Sequence, residues 1–253
     1  MPRFFVTGAP EDGAFLLVGD DAHHIARSLR CAVGDTVTVC DGEGTEYTCR
    51  LTQIRDDAVT ATVLDACAGE TELPLSVHLL VAYPKGDKLE TVVQKATELG
   101  ATRITPFESS RCIKRPGAEK QDKITARLAR IAEEAAKQCG RSRLPEVDRT
   151  VSFDGALSLA AKSDLVLFCY EGAAVTPLPA NIERAAPALD AARAEGRTPE
   201  IAIFVGSEGG FSPEEAEAAS ARGFAMTGLG KRILRTETAS GFVLSCLIYA
   251  LEL

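Results

Sequence analysis

The sequence predicts an α/β protein in two parts, a small β-barrel over residues 1–73 and an α/β domain over residues 74–253. Up to Glu70, apolar and polar residues alternate around turn residues, the two-residue period of half-buried strands. Beyond Pro74, short unbroken apolar runs lead into helical repeats, the pattern of buried parallel strands joined by helices. A third observation is the C-terminal end. There IAIFVGSEGGFSPEEAEAA (residues 201–219) and LGKRILRTETASGFVLSCL (residues 229–247) each run from an apolar segment through a glycine-containing turn into a helix.

Residues 20–30, DDAHHIARSLR, predict a short helix. Ala22, Ile25, Ala26 and Leu29 keep helical spacing, and His24, Arg27 and Arg30 occupy the other face. VGDTVTVCDGEGTEYTCRLTQI alternates on both sides of Asp41-Gly42-Glu43-Gly44, a hairpin, and residues 58–64 predict a further strand. VHLLVAYP (residues 77–84) reads as a buried strand. The next helix, DKLETVVQKATELG, has Asp87 as its cap, Glu90 at the capping-box position and Gly100 as its stop. TRITPF follows as a strand, then a basic helix over residues 118–138, a strand in LVLFCYEG (residues 165–172), and a helix with loose ends between Ala180 and Pro199.

Composition narrows the class. The chain is 45% hydrophobic and 25% charged, as in ordinary globular proteins. It shows no apolar run near the ~18 residues of a membrane span, and its first residues lack the apolar core of a signal peptide; both lead us to expect a cytoplasmic protein. Its eight cysteines include no CxxC pair, so reduced thiols are expected rather than a disulfide framework or a zinc site. Net charge is −8, yet residues 74–149 hold 15 Lys and Arg against 10 Asp and Glu. A polyanion can therefore meet only a local basic patch.

The chemistry-bearing residues lie in the two C-terminal pieces. In the first, Gly206-Ser207-Glu208-Gly209-Gly210 leads into a helix opened by Ser212, with Pro213 at its first position and Glu215 completing a capping box. A strand, glycine turn and helix N-terminus make a ligand-binding end, commonly for phosphate. Here Glu208, Glu214 and Glu215 oppose a pyrophosphate, and neither dinucleotide nor P-loop spacing is present, so a neutral or cationic cofactor is favoured; a plain well-capped turn is the alternative. In the second, Arg232 and Arg235 flank a polar run at a strand-to-helix transition. There an arginine anchors a phosphate, orients a carbonyl, or pairs with Glu237 or Glu208. Gly241, inside the last helix, suggests close packing of backbone or ligand. Lys85, Lys88, Lys114, Arg115, Arg141 and Arg143 gather near predicted strand and helix ends, and adjacent His23 and His24 do not suggest a metal site.

Together HHIARSLR, VGD, DGEG, KGDKLETVVQKATELGATRITPFESSRC, EEAAKQCGRSRLPEV, VGSEGGFSPEE and LGKRILRTETA make nearly the whole chain resemble the bacterial RsmE-type enzymes. These are S-adenosylmethionine-dependent methyltransferases of the SPOUT class that methylate N3 of a uridine in 16S ribosomal RNA. The resemblance implies a PUA-like RNA-binding β-barrel over residues 1–73 and a SPOUT domain with a C-terminal trefoil knot over residues 74–253. It also implies a homodimer acting on the 30S subunit, with no metal. The cofactor would lie on Glu171, Gly206, Ser207, Glu208, Gly209, Gly210, Leu229, Gly230, Ile233, Leu234 and Arg235. Ser207 departs from the family turn, which is usually GPEGG.

The chemistry implied requires N3 to lose its proton as it approaches the methyl carbon in line. Arg235 is expected to stabilise charge on a uracil carbonyl, and Glu237 or Glu208 to take the proton. RNA contacts are expected from Arg3, His24, Arg27 and Arg30, with Lys85, Lys88, Arg111, Arg141 and Arg143 lining the cleft. A SPOUT enzyme for another RNA site, a non-catalytic ribosome-assembly protein and a dinucleotide enzyme are the competing readings.

Overall fold

The structure, a computed structural model, describes residues 1–113, 115–172 and 174–252. The chain forms two compact units. One comprises Met1–Glu72 with Glu133–Leu144, and the other Leu73–Ala132 with Pro145–Leu253. The segment 133–144 therefore packs with the first unit although it lies within the span expected for the second domain.

In the first unit, strands β1 (Arg3–Phe5), β2 (Ala14–Val18), β3 (Thr36–Cys40), β4 (Thr45–Ile54) and β5 (Ala58–Ala68) form one sheet in the order β1-β3-β4-β5-β2. The hairpin read around Gly42 and Gly44 is the β3–β4 pair, antiparallel from Thr36 opposite Arg50 to Cys40 opposite Glu46. Alternation puts Phe4, Phe15, Leu17, Val37, Val39, Leu51 and Val59 into one core, closed by Ala22 and Ile25. The short helix expected over residues 20–30 is helix α1 (Asp20–His23) continued by a π-helical turn, His24–Ser28. Arg30 ends it with a φ of 53°, a left-handed conformation uncommon for arginine.

In the second unit, an eight-stranded sheet is parallel in every recorded pairing. Its strands are β6 (Ser76–Ala82), β7 (Arg103–Glu108), β8 (Glu146–Val147), β9 (Val151–Ser152), β10 (Leu165–Cys169), β11 (Thr176–Pro177), β12 (Glu200–Val205) and β13 (Ala225–Gly228). Their order is β11-β13-β10-β12-β6-β7-β8, with β9 also on β7. The helices are α2 (Lys88–Glu98), α3 (Gln121–Cys139), α4 (Phe153–Ala160), α5 (Leu178–Ala194), α6 (Pro213–Ala221) and α7 (Thr236–Leu251). The last turns of α3 belong to the first unit. Helices on the sheet bury the continuous apolar runs of β6 and β12, both of which lie within the core. Helix α7 packs on α2 and on β12 and β6.

Two local expectations fail. Asp87 precedes α2 without a side-chain cap, and Glu90 instead pairs with Arg127 of α3 at 2.9 Å. At Gly241 a Cβ would meet only Leu99, at an ordinary 3.8 Å, so no crowding demands glycine there. Lys114 lies outside the described residues.

A buried polar chain crosses the sheet. The Thr105 hydroxyl donates to Asp148, which leaves its oxygen to accept from Nε2–H of His78 at 2.7 Å, and Arg103 holds Asp148 through Nε at 2.8 Å. Burial, reinforced by the Arg103 charge and opposed by Asp148, pushes the His78 pKa down to about 4. A depressed histidine contributes stability above its unfolded value and loses it as pH falls toward the folded one. Urea titrations should therefore show about 2 kcal/mol lost between pH 7 and pH 5 through this residue. That part of the slope should flatten in His78→Gln.

Candidate active site

The loops that the sequence singles out follow β10, β12 and β13. These three strands are neighbours in a parallel sheet, so their C-terminal ends lie side by side and the loops share one rim. This rim is where open α/β sheets bind ligands. Among the expected cofactor residues, Gly206, Ser207, Glu208, Gly209 and Gly210 form the central loop. Glu171 is exposed on the loop after β10, and Leu229, Gly230, Ile233, Leu234 and Arg235 fill the loop after β13. Leu229 and Leu234 pack against the core, whereas Ile233 is 83% exposed.

The glycine turn is fixed from several sides. Gly210 N–H closes it on the Ser207 carbonyl at 2.9 Å. Phe211, the next residue, inserts into an aromatic cluster, stacked on Phe107 and 4.2 Å from the Phe168 centroid. The capping box of α6 is formed as expected, and its Glu215 does more. The buried carboxylate accepts from Ser212 N–H (2.9 Å), Ser110 N–H (2.7 Å) and the Ser109 hydroxyl (3.2 Å), joining the loop after β7 to the turn. Arg111 donates to the Gly209 carbonyl at 2.9 Å. Glu208 accepts from Lys88 Nζ at 2.7 Å and from Lys85 N–H at 3.2 Å. Burial opposes ionisation of Glu208, but Lys88 and these N–H groups prevail and hold its carboxyl below the usual range.

These contacts revise the electrostatic argument made from sequence. Glu215 is turned inward and saturated with donors, and Glu208 is matched by Lys88. Of the three carboxylates read as repelling a pyrophosphate, only Glu214 stands exposed without a direct ion pair among the described residues. The turn is close to charge balance rather than acidic.

The loop after β13 ends at Arg235, the N-cap of α7. The Thr236 hydroxyl donates to the Gly206 carbonyl at 2.9 Å, which ties the start of α7 to the glycine turn. Sequence reading passed over Thr236, Phe211 and the two serines. Their spacing carries no motif, and only the polar pair Ser109-Ser110 directly after an apolar strand gave a signal. Arg235 is exposed, and among the described residues it makes neither of the ion pairs weighed for it, with Glu237 or with Glu208. Glu237 Oε2 is buried without a hydrogen-bond partner among the described residues, and the buried Ser207 hydroxyl lies against the Cys112 thiol.

The basic residues divide. Lys85, Lys88 and Arg111 sit on the second unit beside the turn. His24, Arg27, Arg30 and Arg143 are exposed on the first, with Arg27 near Asp56 at 3.3 Å. Arg3 and Arg141 depart from the expected surface role. Arg141 is 3% exposed with its guanidinium on Glu72 at 2.7 Å, and Arg3 is held by Glu46 and the Arg141 carbonyl. Burial opposes ionisation of Glu72, yet Arg141 and the N–H groups of Ser142 and Arg143 keep its carboxyl low. Buried pairs of this kind are structural, and breaking one costs about 3–5 kcal/mol. Among the described residues no group of three or more His, Cys, Asp or Glu could hold a metal, and no helix is long and apolar enough to cross a membrane.

Comparison with known proteins agrees with this arrangement. Residues 71–248 match the model of an RNA methyltransferase domain, and residues 17–64 that of an RNA methyltransferase PUA domain. The chain is 33% identical to ribosomal RNA small subunit methyltransferase E of Bacillus subtilis, covering 100% of this chain and 98% of that protein. It is 34% identical to the protein of the same name from Synechocystis, over 96% and 77% of the two chains. The crystal structure of a ribosomal RNA small subunit methyltransferase E from Neisseria gonorrhoeae, bound to S-adenosyl methionine, superposes with a TM-score of 0.82 at 29% identity, over 99% and 98% of the chains. From the matched domain and the full-length relatives together, the chain belongs to the RNA methyltransferase family.

Proposed function

We propose that this protein methylates N3 of a uridine in the 16S ribosomal RNA of the small subunit, with S-adenosylmethionine as donor. The observation that carries the reading is the convergence of three loops on one rim at the ends of β10, β12 and β13, in a chain of this family. The rim suits that cofactor. A Cβ on Gly206 would lie 3.1 Å from Gly210 Cα and 3.3 Å from the Phe211 ring, so only glycine keeps the turn this narrow. Gly210, at a φ of 63°, takes a conformation that other residues adopt only with strain. The buried Glu237 oxygen offers hydrogen-bonding capacity that the described residues leave unused. Near charge balance at the turn also tolerates a sulfonium.

In this reading Glu171, Gly206 to Gly210, Leu229, Gly230, Ile233, Leu234 and Arg235 hold the cofactor. When bound, it supplies an electrophilic methyl group. Arg235, exposed at the N-cap of α7, orients a uracil carbonyl and stabilises the charge that develops on it as N3 is deprotonated. Either Glu237 or Glu208 receives the proton. Arg27, Arg30, Arg143 and Lys85 supply exposed cations for RNA phosphates and His24 an exposed imidazole, and Lys88 and Arg111 reach the RNA while bracing the turn. Residues 1–73 act as the PUA-like RNA-binding domain and residues 74–253 as the SPOUT domain. The protein works in the cytoplasm on the 30S subunit. Helix α7 is apolar on more than one side, with Phe242 and Tyr249 exposed, which favours a homodimer. Residues 74–253 in this reading carry the C-terminal trefoil knot of the SPOUT class.

Three measurements test the reading. Mass spectrometry of small-subunit RNA from a deletion strain should show loss of 3-methyluridine, restored by the gene; an unchanged nucleoside profile would refute the assignment. Calorimetry should show S-adenosylmethionine binding that falls about tenfold or more in Gly206→Ala, since the added methyl group forces the turn apart. Arg235→Ala should lower turnover by about 10²–10³ while leaving much of the cofactor affinity, as expected for loss of one charge-stabilising donor.

A further inference from the structure

We infer that Glu237, and not Glu208, is the group that takes the N3 proton. The inference rests on the functional reading above and selects between the two carboxylates it leaves open. In neutral uracil the N3 lone pair belongs to the ring π system, so the nitrogen becomes nucleophilic only as its N–H bond gives way. The acceptor has to be an unoccupied basic oxygen at the rim, sheltered from competing water.

Five carboxylates stand on the three loops or in the first turns of α6 and α7. Glu215 is saturated by three donors and holds two loops together. Glu208 is held by Lys88 Nζ and by Lys85 N–H, so protonating it would release an ion pair that braces the turn. Glu171 and Glu214 are exposed and hydrated. Glu237 differs from all four. It is half-buried, and its Oε2 is shut off from solvent without a hydrogen-bond donor among the described residues. A carboxylate oxygen in that state has lost its hydration without replacement, and a ligand N–H would restore a donor to it. Its place in the chain fits the task. Thr236, the residue before it, is bonded to the Gly206 carbonyl, and Arg235, two residues before it, is the group assigned to the uracil carbonyl. The first turn of α7 thus starts at the glycine turn, with Arg235 and Glu237 on either side of the residue bonded to it.

The electron count closes without another reactant. The N3–H electron pair becomes the N3–C bond, the S–C pair returns to sulfur, and the proton ends on the Glu237 carboxylate.

Single-turnover methylation of small-subunit RNA by the full-length protein tests this, with Glu237→Gln and Glu237→Asp beside the wild type. The expected result for Glu237→Gln is a transfer rate lower by about 10²–10⁴. Its S-adenosylmethionine affinity by calorimetry and its thermal midpoint should stay unchanged. The deficit should narrow as pH rises, because N3 then ionises without help, and Glu237→Asp should recover part of the rate. A wild-type rate in Glu237→Gln overturns the inference while leaving the functional reading intact. So does a loss that follows cofactor affinity or melting temperature, or one that is equal at every pH. A wild type that forms no 3-methyluridine overturns the reading itself and the inference with it.

Discussion

The carboxylate of Glu215 joins two otherwise independent loops, the glycine turn and the loop after β7. A glycine turn is locally soft, because each glycine admits many backbone states. Here the turn is compressed between Phe211, locked in the aromatic cluster, and Glu215, which gathers N–H groups from its own helix and from the loop after β7. Both anchors lie within five residues of Gly210. The stiffness the turn needs is therefore imposed by the core and the neighbouring loop. The same arrangement fixes α7, since Thr236 bonds to the first glycine of the turn. Preorganisation of this kind lowers the cost of ordering groups when a substrate arrives.

Charge at the rim follows one rule. Each carboxylate that supports the scaffold has its own donor: Glu208 has Lys88, Glu215 has backbone N–H groups, and in the first unit Glu72 has Arg141. A matched carboxylate stays ionised and passive. The groups available for chemistry are those left unmatched, the exposed Arg235 and the sheltered oxygen of Glu237. Net charge says little about such a site. A chain of −8 still presents exposed cations where a polyanion would be met.

The order of elements was readable because each depended on local pattern: alternation in β3 and β4, unbroken apolar runs in β6 and β12, and the Ser212–Glu215 capping box of α6. What failed depended on partners distant in sequence. Arg141 reads as a helix-end cation, yet Glu72, 69 residues away, buries it. Glu90 has capping-box spacing, but Arg127 draws it off. Glu208, Glu214 and Glu215 read as an acidic cluster because nothing in their spacing reveals Lys88 or Ser110. The site was legible as a set of loops and illegible in which of its charges were already satisfied.

Ser207 shows how the scaffold absorbs a local departure. A proline there, as in the resembling enzymes, would fix φ and reduce the freedom of the unfolded turn, a contribution of about 0.4–1 kcal/mol. Serine forgoes that and adds a buried hydroxyl whose recorded neighbour is the Cys112 thiol, a weak partner. Both effects weaken the turn on its own. Yet Ser207 still closes on Gly210 through its carbonyl, and the chain on either side is clamped by Thr236 at Gly206 and by Phe211 and Glu215 beyond. With the backbone determined from outside, the residue at this position is freed from its role in rigidity. Its hydroxyl becomes a polar group in a ligand loop that a proline turn cannot supply.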